Sequence, residues 1–447
     1  MTPRFWAFTL QWSRIGVNTA VFLLAARFLT LSEIGSFATV FAPIKLAQGV
    51  HKVGIVEAVL IRKPSAIRLN AMFGFSIVSG LLVAAAFCLF AQLTNLPWSL
   101  SILGLIPIFL GFSAVSEGLL RKQMRFRAMA TRTLFSQGVA GFVTFFAISK
   151  GAGAEALVAF AMINVTLSAL VSITLAGWWP SANATTKQML QTSKLVLKIA
   201  GRDTLNSGVL PMAQIAIGLR FGLAEAGAFQ IALRMLGMID ALTLSPLRLH
   251  ILPHLAGMND REAFKKQTIV TFKLSMCLSC WIVFGAAAVG GDFLVLLIGN
   301  ENATTSAPAF TALIPLSLCA AAAMPFAQAL IADGHVGFVL KRAVVLMTLS
   351  AVWTLGGLFY SALGICIALT LAGLSTLIWF LLCALPRLGH DYSALLIGLV
   401  PIAAGAIMWG LLYGLDLEIL PAIIIGTAVY IATLNCAFFA NRGMSQK

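Results

Sequence analysis

The sequence predicts an all-α polytopic membrane protein. It has about 14 transmembrane helices, in two six-helix bundles related by a parallel repeat, with two helices appended at the C-terminal end. Three observations carry that prediction. The chain is 60% hydrophobic and 10% charged over 447 residues, with a mean hydropathy of +0.96, so it repeatedly reaches the roughly 18–20 apolar residues that span a bilayer. Its connections alternate between strongly basic and weakly acidic. A seven-residue stretch, Leu31-Ser-Glu-Ile-Gly-Ser-Phe37, returns as Leu223-Ala-Glu-Ala-Gly-Ala-Phe229 at an offset of 223 − 31 = 192 residues.

Apolar segments fall near residues 8–28, 35–60, 71–93, 100–120, 133–149, 155–177, 203–222, 226–248, 269–289, 309–331, 343–362, 364–385, 394–413 and 420–440. All must be helices, because a backbone N–H or C=O in hydrocarbon needs a partner within its own segment. Arg4 precedes the first segment, but Gln11, Ser13 and Arg14 break any signal-peptide core, so it reads as a retained first helix.

One set of connections carries Arg62, Lys63 and Arg68, then Arg121 through Arg132, Lys187 through Arg202, Arg248 through Lys266, Lys341, Arg342, Arg387 and Arg442. The other carries mainly Glu33, Glu225, Asp292, Glu301, Asp416 and Glu418. Under the positive-inside rule the basic set is cytoplasmic, as are both termini. That rule also accounts for the net charge of +15, which in a soluble chain would suggest nucleic acid; here nucleic-acid binding is excluded. Both copies of the repeated stretch fall on the outer side, so the halves run in the same direction.

Residues 1–177 are expected to form the N-terminal six-helix bundle, and 178–202 a cytoplasmic amphipathic linker. Residues 203–385 would form the second bundle, and 386–447 the two extra helices and a cytoplasmic tail. In the linker, Met189, Leu190, Val196, Leu197 and Ala200 recur near helical spacing among Lys187, Lys194 and Lys198. This suits a helix on the inner leaflet, or else a solvated connection. The seven cysteines all lie in apolar runs and read as small core residues; Cys277-Leu-Ser-Cys280 has redox spacing without redox context.

No Walker A sequence, His-Glu-x-x-His or nucleophile elbow occurs, and the five histidines do not cluster with carboxylates at metal-ligand spacing. The chain is therefore read as a non-enzyme without metal or cofactor. The informative residues are ionisable groups inside spans, because a charge in hydrocarbon costs several kcal/mol (about 3 or more) unless it meets a wet cavity or a partner. Arg14 sits between Gln11 and Asn18; Lys45, Gln48 and Lys52 share a face; Arg234 follows Gln230 by one turn. Arg14, Lys45, Lys52 and Arg234 are the candidate anion-binding residues of a central cavity, where guanidinium and ammonium groups suit phosphate oxygens. Lys52 reads equally as a lysine reaching the inner interface. Asp240, Glu57 and Asp203 are candidate coupling carboxylates or ion-pair struts. Pro43, Pro211, Pro246, Pro315 and Pro325 mark expected kinks.

Ala26-Arg27-Phe28-Leu29 with the Leu31–Phe37 block resembles the first helical hairpin of Wzx-type polysaccharide transporters. Leu119-Leu-Arg-Lys-Gln-Met-Arg-Phe126 and Gly151-Ala-Gly-Ala-Glu-Ala-Leu157 resemble that group as well. These transporters belong to the multidrug/oligosaccharidyl-lipid/polysaccharide exporter superfamily. The resemblance implies a V-shaped pair of six-helix bundles in the bacterial inner membrane. It further implies flipping of undecaprenyl-diphosphate-linked oligosaccharide from inner to outer leaflet for exopolysaccharide, capsule or O-antigen synthesis. Cationic residues in helices one, two and eight would hold the diphosphate. Expected partners are that lipid-linked substrate, membrane lipids, a polysaccharide polymerase and a chain-length regulator. The competing readings are a cation-coupled multidrug or metabolite antiporter of the same fold, and a membrane polysaccharide polymerase, for which the outer loops are short.

Overall fold

In the computed structural model the described residues are 3–61, 65–93, 97–181, 185–258, 260–415 and 418–444. Among them the regular structure is all helical, and nine helices are long and apolar enough to cross a membrane. These nine include Ala66–Leu93, Ala154–Ala176, Ala362–Leu388 and Tyr392–Leu415. Gly16–Phe28, Val209–Arg220 and Ile419–Asn435 are shorter apolar helices. The described residues divide into two compact units, Met1–Gln230 and Ile231–Lys447.

The first unit contains α1 (Pro3–Phe28), α2 (Leu31–Gly49), a π-helical segment (Val50–Ile55), α3 (Val56–Ile61), α4 (Ala66–Leu93) and α5 (Trp98–Ser101). It continues with α6 (Ile106–Lys122), α7 (Phe126–Ser149), α8 (Ala154–Ala176), α9 (Thr186–Ser207), α10 (Val209–Arg220) and the start of α11 (Leu223–Ala256). Its main packings are α1 on α7, α7 on α8, α4 on α6 and α6 on α8. Ile55, Val59, Met72, Val115, Leu119 and Val196 form one of its apolar cores.

The Arg/Lys-rich end of this unit is tied by ion pairs and hydrogen bonds within and between its helices. Glu117 takes Arg121 Nη2 at 2.6 Å and Arg132 Nη1 at 3.5 Å, and Arg132 Nη1 also donates to Ser172 Oγ at 2.7 Å. Arg132 is buried, and the carboxylate and hydroxyl both meet its Nη1. Lys122 Nζ donates to the last carbonyls of α3, Val59 (3.0 Å) and Leu60 (3.1 Å), the expected place for a cation. Between α6 and α7, Met124 takes φ +55° and lets Arg125 N close back on Leu120 O at 3.0 Å.

The second unit holds the rest of α11, then α12 (Arg261–Ile298), α13 (Asn300–Ala332), α14 (Val336–Gly357), α15 (Ala362–Leu388), α16 (Leu396–Leu415) and α17 (Ile419–Met444). Phe272 and Phe326 meet at 5.1 Å, and Phe338 stacks on Phe380 at 5.9 Å. Pro325 interrupts α13 and leaves the carbonyl four residues earlier, Ala321, without its usual donor. Ser275 Oγ of α12, fully buried, donates to that oxygen at 3.0 Å. Tyr430 OH donates to Cys277 O at 2.7 Å and ties α17 to α12. Cys277 and Cys280 are free thiols.

Candidate functional site

The two copies of the repeated stretch begin α2 and α11 and lie against each other within the first unit. A Cβ built on Gly35 would fall onto the Leu223 carbonyl oxygen and stand 2.8 Å from the Gly227 nitrogen. One built on Gly227 would fall onto the Leu31 carbonyl oxygen and stand 2.8 Å from its carbon. The contact is reciprocal: each glycine receives the first carbonyl of the other copy. Only a residue without a Cβ allows backbones this close. The crossing is extended by α10, where Gly218 faces the Thr39 side chain and Gln214 Nε2 donates to Ala226 O at 2.9 Å.

The local chemistry of the two starts differs. Thr30 caps α2 in a reciprocal box: its N–H donates to Glu33 Oε2 at 2.8 Å, and Glu33 N donates to Thr30 Oγ1 at 3.3 Å. Glu33 also crowds Gly153, where a Cβ would collide with Oε1, which fixes the approach of α8. Before α11 the chain turns at Gly222, with φ +99°.

Further along, α2 carries the polar stripe. Lys45 Nζ stands 5.5 Å from the Phe41 ring centroid, and Lys52 Nζ donates to Gln48 Oε1 at 2.8 Å. Gln48 is buried, and Lys45 and Lys52 are half-buried. From Val50 to Ile55 the helix is π rather than α, a widening that often marks function inside longer helices. His51 fills the widened turn, 1% exposed, with Nε2 at 3.1 Å from Ser76 O and 3.2 Å from Ser79 Oγ. Gly49 and Gly54 flank it. A Cβ at Gly49 would stand 3.1 Å from Thr204 Oγ1 and 3.5 Å from Asp203 Oδ2, and one at Gly54 would stand 2.9 Å from the Val196 side chain. α9 is thus pressed onto this stretch, and Asp203 comes to the helix that bears Lys45 and Lys52. Glu57, half-buried, follows in α3.

In the second unit Arg234 is half-buried on α11. Asp240, six residues later, accepts from Ser317 Oγ of α13 at 3.1 Å, with Arg248 within electrostatic reach. Arg14 lies on α1, and its side chain falls outside the described residues. The structure therefore brings Lys45, Lys52 and Asp203 together in one unit and places Arg234 and Asp240 in the other.

Two further arginines of the second unit lie near Asp240 or near each other. The sequence assigns Arg248 and Arg342 to basic connections; Arg248 lies exposed on α11, and Arg342 lies in the second turn of α14. Arg342 stacks on the Phe380 ring at 4.8 Å, and Arg248 is within electrostatic reach of it. The stacking partner, 38 positions away in the chain, is what the sequence alone does not reveal. Among the described residues no group of three or more His, Cys, Asp or Glu could hold a metal ion.

This arrangement of helices is found in known proteins. The full chain is similar to a solved structure titled lipid II flippase MurJ, inward closed conformation. The TM-score is 0.82 at 15% identity, covering 98% of this chain and 99% of that one. It is also similar to an inward-facing multidrug resistance MATE family transporter of the MOP superfamily, with TM-score 0.62 at 13% identity over 86% and 94% of the two chains. At these identities the likeness establishes the fold. In sequence it is 23% identical over 308 residues to the succinoglycan biosynthesis transport protein ExoT of Rhizobium meliloti (strain 1021), covering 66% of this chain and 62% of that protein. The matched part is thus less than two thirds of that relative's length. Residues 24–307, which include both copies of the repeat and the polar stripe of α2, match the family model for polysaccharide biosynthesis proteins. The chain is a multi-pass membrane protein with the fold of these transporters, and it belongs to the polysaccharide biosynthesis protein family.

Proposed function

We propose that this protein flips polyprenyl-diphosphate-linked oligosaccharide from the inner to the outer leaflet of the bacterial inner membrane, for exopolysaccharide, capsule or O-antigen synthesis. The observation that carries the reading is the polar stripe of α2. Lys45 and Lys52 are half-buried on one helix face, and Lys52, in the π-helical segment, donates to Gln48 one turn earlier. Ammonium groups in such a setting are retained where they meet an anion or a wet passage. Family membership supports transport of a polysaccharide precursor, and the fold supports alternating access.

In this reading fourteen helices form two six-helix bundles and an appended pair, with both termini cytoplasmic. Arg14, Lys45, Lys52 and Arg234 bind the diphosphate in a shared passage, and rocking exposes it outward while the polyprenyl tail stays in lipid. Asp240, positioned by Ser317, is the carboxylate best placed to couple an ion to the cycle; Glu57 and Asp203 serve as ion-pair struts or further coupling groups. A polymerase and a chain-length regulator would act on the product. Transport, not bond-making, is the activity.

The test is substitution in a strain that depends on this gene for surface polysaccharide. Arg14→Ala, Lys52→Ala and Arg234→Ala should each lower polysaccharide by about tenfold or more, because each removes a charge-assisted contact, with membrane-inserted protein unchanged. Wild-type polysaccharide from Arg14→Ala and Arg234→Ala would overturn the assignment.

A further inference from the structure

Helix α9 has three distinct faces at helical spacing. Ser193, Val196 and Ala200 are buried against the first unit. Leu190 and Leu197, spaced by two turns, are 64% and 54% exposed. Lys187, Lys194 and Lys198 form a third, exposed stripe beside those leucines. The one carboxylate in α9 is Asp203, and none of the three lysines makes an ion pair among the described residues. A stripe of unpaired lysines edging two outward leucines suits neither a protein core nor open water. It suits the boundary between headgroups and acyl chains, where leucine enters the hydrocarbon and lysine meets phosphate.

We propose that this face of α9 is a docking surface for the anionic phospholipids of the leaflet at the Lys/Arg-rich end, and that their charge controls the seat of α2. The second link follows from the opposite face. Val196 and Ala200 press on Gly54, and Thr204 and Asp203 on Gly49, the two ends of the π-helical segment that holds Lys52. Met189 of the same helix presses on Gly74 of α4. A helix held to headgroups on one side and to glycines on the other transmits a change in lipid charge to the turn containing His51 and Lys52. The surface is independent of which glycan is carried.

The experiment uses the full-length protein and phosphatidylglycerol as the probe. Lipid retention is measured by native mass spectrometry for the wild type, for Lys187→Gln/Lys194→Gln/Lys198→Gln and for the corresponding triple Arg variant. The Gln variant is expected to retain phosphatidylglycerol at least about fivefold less, since each lost lysine–headgroup contact is worth about fivefold. The Arg variant should retain it as the wild type does, and retention of phosphatidylethanolamine should not change. Equal phosphatidylglycerol retention by all three proteins overturns the surface. So does selective loss of undecaprenyl phosphate with phosphatidylglycerol unchanged, which would make the stripe a substrate contact. Hydrogen exchange at residues 50–55 in membranes with and without phosphatidylglycerol tests the coupling. Faster exchange without the anionic lipid is expected, and identical rates would overturn the link to α2.

Discussion

Helices α2 and α11 begin with the same seven-residue pattern and then diverge, and the divergence separates what the repeat builds from what each half adds. At the start, Gly35 and Gly227 play the same part, each admitting the other's leucine carbonyl. The glutamates do not: Glu33 closes a capping box with Thr30, while Glu225 is exposed in a first turn that follows Gly222. Beyond the crossing, α2 passes Pro43, widens into a π-helix and collects Lys45, Gln48 and Lys52. α11 runs for 34 residues and presents Gln230, Arg234 and Asp240. The shared glycines and leucines of the repeat make the backbone contact, while the shared glutamates differ in what their side chains do.

The comparison is broken most severely at the glycines. Gly35→Leu or Gly227→Leu places a side chain on a backbone carbonyl that cannot move aside, and each should destabilise by about 3 kcal/mol or more. Gly237→Leu on α11, with nothing within 4 Å, should be tolerated; the thermal midpoint of the detergent-purified protein reads the difference. Next comes the π-helical segment. Gly54→Val meets Val196 at once and should cost about 1–3 kcal/mol, while also lowering transport by displacing Lys52. The smallest effect sharpens the capping asymmetry. Thr30→Ala should cost about 1 kcal/mol through loss of the cap, and Glu225→Gln should leave the midpoint unchanged.

Much of this was legible in the sequence, for identifiable reasons. Helical class follows from hydropathy, because lipid forbids unpaired backbone. The repeat was visible because glutamate is scarce in so apolar a chain, and the crossing of its two copies explains why glycine sits at the fifth position of both. The stripe of Lys45, Gln48 and Lys52 was visible because their spacing fits one helix face.

The π-helix was not legible, since a change from i→i+4 to i→i+5 bonding leaves no mark on composition. Nor was the division of α9. Its apolar residues read as one face, yet Val196 and Ala200 turn toward Gly54 while Leu190 and Leu197 turn away, because a tertiary neighbour sorts them. Arg342 was read as part of a connection because it follows Lys341; its stacking on Phe380 depends on how α14 meets α15.

The central claim, that cations on α2 and α11 carry a polyprenyl diphosphate across the bilayer, is tested most directly in vesicles. The purified protein is reconstituted, and translocation of a fluorescent polyprenyl-diphosphate-linked sugar is followed for the wild type and for Lys45→Gln/Lys52→Gln/Arg234→Gln. The account predicts transport by the wild type and a rate at the protein-free background for the variant. Equal rates for the two proteins would contradict it.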